Sequence, residues 1–468
     1  MRFCIMGALV SMLCIFGCTA VSPEDVAPVG VRSEDLTLAE VAHFVKGGLL
    51  YQFETFDGND RACGTCHVAN SHFALTPEDV EAEFAEDPEG PLFRSLDSND
   101  GLSEDYSLMR GDGLVRVHVT AAPNVTVDEV DGLNVAVGPD GRYVVALRRS
   151  TPTSINTGLN DHLMWDGREG TDLAHQALSA VLDHAEPGRL PSMGEREDIA
   201  FFQEQLFSSL ALRRYADGGP PPELPDVPAS WTGSHADSLR RGRTFFQDTP
   251  ITSFDPEHRG LCGSCHTGPM LNRTGHFNPG DPPDLAFAGN RTSEFNARGL
   301  PMYTFRIALL QDLVMPPGIP LPIPPGTVVA PAGTPITVHT SDPGALIVDT
   351  DPTDGIDGAN PCISPLPCLV SVLTGSPTVV FHRIPTLWGT ADTAPYFHDN
   401  SAATFEEVVD HYRLFFVPTE LSLRATADQL EAAGDVATAT FLRSIADALL
   451  ISDQDKADIA AYMRYAFR

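Results

Sequence analysis

Cys262-Gly263-Ser264-Cys265-His266 reads C-x-x-C-H, and Cys63-Gly64-Thr65-Cys66-His67 repeats the pattern in the first half of the chain. Two thiols at this spacing can add to the two vinyl groups of a haem. The adjacent imidazole then comes under the ring as the proximal ligand of the iron. With 9 Cys and 15 His in 468 residues, chance supplies only about 0.006 such motifs per chain, so two are a strong signal. Paired cysteines also read as a zinc site or a redox dithiol. Zinc, however, takes four ligands from paired Cys/His clusters, and no further C-x-x-C lies near either motif. The motifs therefore predict two covalent haems c, attached at Cys63, Cys66, Cys262 and Cys265, with His67 and His266 on the irons.

Moving outward from the motifs, a helical pattern begins near Leu36 and leads into Cys63, and a second, about 235–247, leads into Cys262. Each half thus presents a helix, a haem motif and a following loop, a crude internal duplication. The run Gly218-Gly219-Pro220-Pro221-Pro222 through Pro228 cannot continue a helix and marks the boundary between the halves. Residues 77–105 are acidic and turn-rich and read as a surface excursion. Residues 114–148 alternate (Val115, Val117, Val119; Val144, Val145) and read as a small β-ribbon. Residues 315–378 are rich in Pro and Gly and read as a long ordered excursion. Thr404 with Glu407 forms a capping box, and Phe405, Val408, Val409 and Tyr412 follow on one helical face. Two or three amphipathic helices fill 425–467.

The predicted layout is a leader over 1–17, a tether over 18–35, and an N-terminal domain over 36–217 carrying an insertion at 77–148. A linker over 218–232 and a C-terminal domain over 233–468 with an insertion at 315–378 complete it. The leader has Arg2, then an apolar run from Phe3 to Phe16 too short to span a bilayer. Ile15-Phe16-Gly17-Cys18 resembles a bacterial lipobox, which would make Cys18 a lipidated N-terminus; an ordinary signal peptide that happens to contain Cys18 is the alternative. Cys4, Cys14 and Cys18 fall in the leader region and four cysteines in the motifs, leaving Cys362 and Cys368. Export to an oxidising compartment predicts a local disulfide between them. A net charge of −33 argues against nucleic acid and anionic lipid as partners and fits a basic protein partner or plain solubility.

Taken together, four stretches resemble the bacterial di-haem cytochrome c peroxidase family, which includes MauG. They are Cys63 to His67; Ser150-Thr151-Pro152-Thr153 to Trp165-Asp166-Gly167-Arg168; and Gly242-Arg243 through the second motif to Gly268-Pro269. The fourth joins Arg383-Ile384-Pro385-Thr386-Leu387, Thr393-Ala394-Pro395-Tyr396-Phe397-His398-Asp399 and the helix of Tyr412. The resemblance covers most of the mature chain outside the two insertions. It implies a mainly α protein of two cytochrome c-like domains, each with one covalent haem, with irregular and small β insertions. In such a protein the N-terminal haem meets peroxide and the C-terminal haem handles electrons.

By the same resemblance Trp165 stands between the haems. Glu186 matches the distal acid that moves a peroxide proton, allowing one inserted residue between Arg168 and Gln176. Tyr412, fourteen residues after His398, stands where the second iron takes its sixth ligand, Met in ordinary peroxidases and Tyr in MauG. The carbonyls of Thr393 and Pro395 match a calcium site. Three departures stand out: Ser150 in place of a usual Asn ligand, Trp388 in place of a usual Arg, and Glu83 where a distal His is expected. His72, His118 and Met109 are further candidate ligands that read equally as surface or core residues. The first haem is thus expected to lack a fixed sixth ligand.

The resemblance implies a peroxidase that takes hydrogen peroxide and electrons from a small donor protein; the lipobox-like run at Cys18 adds an expected lipid anchor on the periplasmic side of a bacterial membrane, the outer one. Two alternatives remain: a MauG-like enzyme that uses peroxide to oxidise a residue of a partner protein, and a non-enzymatic di-haem electron carrier.

Overall fold

The computed structural model describes residues 36–248, 260–275, 286–290, 300–315, 323–350, 358–363, 365–375, 377 and 379–468. The leader, the lipobox cysteine and the tether lie outside these residues. The described chain is mainly helical, with four small antiparallel sheets. No helix among the described residues is long and apolar enough to cross a membrane.

Helix α1 (Leu38–Phe53) opens on a capping box. The Thr37 hydroxyl accepts from the Glu40 amide at 3.2 Å, and the Glu40 carboxylate accepts from the Thr37 amide at 2.7 Å. The acidic run after the first motif is not a surface excursion. Thr76 and Asp79 cap a helix, α2 (Pro77–Glu86), whose Val80 is fully buried. Leu92, Phe93 and Asp97 are buried behind it. The acids of α2 face solvent and mask its apolar side in the sequence, but Thr76-Pro77-Glu78-Asp79 is itself a helix-start signature. A short helix α3 (Ser107–Asp112) then leads into the strands.

Strands β1 (Leu114–Thr120), β2 (Val125–Val127), β3 (Val135–Val137) and β4 (Tyr143–Ser150) build more than a ribbon. β1, β4 and β3 form one sheet, with Val117 opposite Leu147 and Val135 opposite Val145. Three helices follow, α4 (Leu173–His184), α5 (Met193–Glu204) and α6 (Leu210–Ala216). No regular structure then runs up to α7 (Ser234–Arg243). The second half adds β5 (Phe287–Asn290), β6 (Tyr303–Ala308), β7 (Leu313–Val314), β8 (Val328–Ala330), β9 (Pro335–Thr340), α8 (Pro365–Thr374) and β10 (Val380–Arg383). It ends in α9 (Phe405–Ala432), α10 (Val436–Ala448) and α11 (Asp453–Ala466). Thr404 and Glu407 cap α9 reciprocally.

The two insertions are one module. β2 pairs with β6, with Val125 opposite Ile307, and β6 pairs with β9, with Phe305 opposite Val338. The Asn124 amide donates to the carbonyls of Ala308 and Ala359, both at 2.8 Å. Their shared core takes Val80, Met109, Val117, Phe305, Val338 and Ile347. Its strands begin at Tyr303, ahead of the expected boundary at 315. Cys362 and Cys368 are disulfide-bonded, with Cα atoms 5.2 Å apart, beside a small separate core.

The helical halves share one construction. In the first, α1 crosses α5 so closely that a Cβ on Gly47 would lie 1.9 Å from the Asp198 carbonyl oxygen and 3.0 Å from the Phe202 Cβ. The buried Asp198 takes His43 Nδ1 and Lys46 Nζ, both at 2.5 Å. In the second, α7 crosses α11 in the same way. A Cβ on Gly242 would lie 2.1 Å from the Asp458 carbonyl oxygen and 2.8 Å from the Tyr462 Cβ. The buried Asp458 takes Arg241 Nε at 2.6 Å and the Ser238 hydroxyl at 2.5 Å. Glycine is required at both crossings because a side chain would collide with backbone, which cannot rotate away. Each crossing stands behind one C-x-x-C-H motif.

Candidate functional site

At the first motif, Cys63–Thr65 make a single 3₁₀ turn, and the His67 amide donates to the Cys63 carbonyl at 2.9 Å. His67 Nδ1 lies 2.9 Å from the Phe73 carbonyl. A carbonyl only accepts, so Nδ1 carries the proton and Nε2 keeps its lone pair. Burial pushes the His67 pKa down, against the pull of the Phe73 and Pro152 carbonyls. Behind the imidazole, the Tyr51 hydroxyl lies 2.6 Å from the Ser154 hydroxyl, which sits 3.4 Å from His67 Nδ1. A mostly apolar cavity opens beside Cys63, Cys66 and His67, walled by Val115, Leu163 and Val181 among others. Burial pushes the Cys63 thiol up to about 12 and the Cys66 thiol to about 11. Such thiols are protonated at neutral pH and make poor redox dithiols.

At the second motif the pattern recurs. The His266 amide donates to the Cys262 carbonyl at 2.9 Å, and His266 Nδ1 donates to the Leu271 carbonyl at 2.8 Å. Burial pushes the His266 pKa down to about 4, so its Nε2 also keeps a lone pair. The loops after the two motifs close with matching isolated bridges, Val68 to Ala74 and Thr267 to Arg273. Tyr412, from α9, packs near Phe397 and Phe416, with ring centroids 6.3 and 6.5 Å away. Burial, and then the nearness of Cys265 and Cys262, push its phenol well above the usual range. Its hydroxyl is therefore on the motif's side of the helix.

Both motifs fit haem c better than zinc. Among the described residues, neither motif brings its two thiols and its imidazole together as a metal-ligating group; the one such group lies elsewhere. Each motif instead places an oriented neutral imidazole beside two thiols, in apolar surroundings.

The remaining predicted residues fall as follows. Trp165 lines the first cavity, donates from Nε1 to the Ser150 carbonyl at 3.0 Å, and stands edge-on to His398 of the second half at 6.5 Å. The Arg383 amide donates to the Trp165 carbonyl at 2.9 Å, fixing the backbone beneath it. Glu186 is exposed, with φ +46°, and its carboxylate accepts from the Asn59 amide at 3.1 Å. It follows two residues after His184, which does line the cavity. Thr393 and Pro395 lie in the turn before the Tyr396–Ala402 bridge. The Ser150 hydroxyl, where a calcium ligand would be expected, donates to the Phe397 carbonyl at 3.0 Å. This oxygen set does not fit calcium well, because the Ser150 hydroxyl is engaged by a carbonyl. Trp388 donates from Nε1 to the Pro269 carbonyl at 2.9 Å and so holds the loop after His266. Glu83 is exposed on α2, Met109 is in the insertion core, and His118 lies 3.0 Å from Arg116 Nη1. The His72 carbonyl accepts from the Thr153 hydroxyl.

Among the cavity residues that the sequence does not single out are His184 and Arg61. His184 ends α4, and burial pushes its pKa down to about 4. It continues the Leu173, Ala177, Val181 face of that helix, a signal readable from spacing alone. Arg61 lies two residues before Cys63, pairs with the buried Asp97 at 2.5 Å, and donates to the Pro91 and Leu92 carbonyls at 2.8 Å. It ties the first motif to the insertion module.

No protein-family model matches the chain, and no curated protein matches it in sequence. One solved structure, described as a MauG-like protein associated with microbial copper homeostasis, aligns over 96% of this chain and 95% of that one, at 16% identity and a TM-score of 0.39.

Proposed function

We propose that the protein is a di-haem c oxidoreductase that reduces hydrogen peroxide with electrons from a small periplasmic donor protein. One observation carries this reading. Two C-x-x-C-H motifs stand in two copies of one helix crossing, each with an oriented neutral histidine, and Trp165 touches both halves. Haem bound at the motifs supplies redox iron and, at the first, the centre that activates peroxide. The four cysteines would hold the haems by thioether bonds, and His67 and His266 would offer Nε2 to the irons. The Glu186 carboxylate, two residues beyond the cavity residue His184, takes a proton from one peroxide oxygen and returns it to the other, assistance worth about 100- to 10,000-fold. This requires Glu186 to turn inward from Asn59. Trp165 couples the two halves electronically. A net charge of −33 suits a basic donor. Attachment by lipid at Cys18, facing the periplasm, belongs to the same proposal.

Tyr412 favours a second reading. An anionic oxygen ligand stabilises ferric iron and suits storage of oxidising power rather than easy electron uptake. That would fit a MauG-like oxidation of a residue on a partner protein. Simple peroxide reduction ranks first because it needs no dedicated protein substrate. The test is titration of the purified holoprotein with peroxide, with and without a reduced donor such as a small cytochrome. Oxidation of two donor equivalents per peroxide supports the first reading. Peroxide consumption that leaves the donor reduced favours the second.

A further inference from the structure

Beside Trp165 lies a buried donor set that neither motif uses. Asp342, from the turn after β9, is 2% exposed; His382, on β10, is 4%; and His398, in the loop before α9, is 2%. The two imidazoles stack at 3.9 Å with 19° between planes, so one ring must turn to bring both Nε2 lone pairs onto a single ion. His382 Nε2 lies 3.6 Å from Asp342 Oδ1, and His398 Nε2 lies 3.8 Å from Asp342 Oδ2. The three ligand atoms all lie within 4.8 Å of one another.

The distances discriminate between two explanations. A charged imidazole–carboxylate hydrogen bond draws its atoms to about 2.7–2.9 Å. Two ligands of one ion with bonds of about 2.1 Å sit about 3.4 Å apart in a tetrahedral shell. His382 Nε2 from Oδ1 and His398 Nε2 from Oδ2 both stand nearer the second distance than the first. The carboxylate is also held as ligating carboxylates are. Asp342 Oδ1 accepts from Arg149 Nη2 and the Gly344 amide, both at 2.8 Å, while Oδ2 accepts from Arg149 Nε at 2.6 Å. Arg149 is shared with Asp166, 2.5 Å away, so its positive charge is largely spent before the ion is reached. Two imidazoles and one carboxylate select a borderline transition ion; calcium takes six to eight oxygens.

We propose that Asp342, His382 and His398 bind one divalent first-row transition ion of the zinc class. The ion joins the turn after β9 to β10 and to the loop bearing His398, and fixes the His398 ring against Trp165. This does not rest on the haem reading, since none of the three belongs to a C-x-x-C-H motif.

The experiment uses the full-length holoprotein, stripped with chelator and reloaded with zinc. Elemental analysis gives zinc per chain, and intact mass gives covalent haem separately. The expected result is one zinc per chain, undiminished by excess calcium. Zinc-edge X-ray absorption should show two imidazoles and oxygen. His382→Asn should weaken zinc binding at least tenfold while leaving the haem count unchanged. Substoichiometric zinc in the wild type, a shell without imidazole, or equal zinc in a folded His382→Asn would overturn the proposal. The wild-type stoichiometry and spectrum decide the matter even if the variant does not fold.

Discussion

The first and second halves solve the same problem with nearly the same parts. Each places glycine where a helix meets a neighbour's carbonyl, each buries an aspartate that takes polar side chains from the glycine-bearing helix, and each gives its motif histidine a carbonyl partner. They differ in what surrounds the motif. The first faces a cavity walled partly by the insertion strand β1. The second is packed by α9, whose Tyr412 approaches Cys262 and Cys265. Repetition of the scaffold with divergence of the surroundings leaves the first motif open to a cavity and the second packed within a helical core.

The sharpest way to break this comparison is at the reactive site. Glu186→Gln should keep both haems and lower peroxide turnover by roughly 100-fold, the lower end for a positioned acid–base group. Steady-state turnover near wild type would remove Glu186 from the chemistry and leave His184 as the cavity's proton carrier. Next come the crossings. Gly47→Ala and Gly242→Ala each force a Cβ into backbone and should each destabilise the fold by about 2–3 kcal/mol. Denaturant titration measures this, and a cost in only one half would end the equivalence.

A smaller effect is expected at Tyr412. Tyr412→Phe should change the low-spin ferric EPR signal of the second haem, with little loss of fold; an unchanged signal means the ring only fills space. The smallest effect is on pH dependence. Burial depresses the pKa of His184 in one half and His411 in the other to about 4. A depressed histidine is neutral when folded, while the unfolded chain takes up a proton below about 6.5. Stability from these groups is therefore complete above that pH and is lost as pH falls toward 4. Thermal unfolding between pH 7 and 4.5 should show this slope, and His184→Gln and His411→Gln should each flatten it.

Much of the site was legible because its chemistry is local. The motifs, the Thr404 cap and the Tyr412 face all follow from short spacings. What joins distant segments left no such trace. The pairing of Val125 with Ile307 brings together strands that are each short and unremarkable in sequence, so the two insertions read as separate excursions. The Gly47–Asp198 and Gly242–Asp458 contacts depend on crossings between helices far apart in the chain. Arg149 and Asp342 read as ordinary polar residues until folding buries them together with Asp166.

Each half is expected to carry one covalently held haem. Intact mass of the holoprotein after acid–acetone extraction tests it most directly. The expected mass is that of the mature chain plus two haems, falling to one in either Cys63→Ala/Cys66→Ala or Cys262→Ala/Cys265→Ala. A wild-type mass with one haem or none would contradict it.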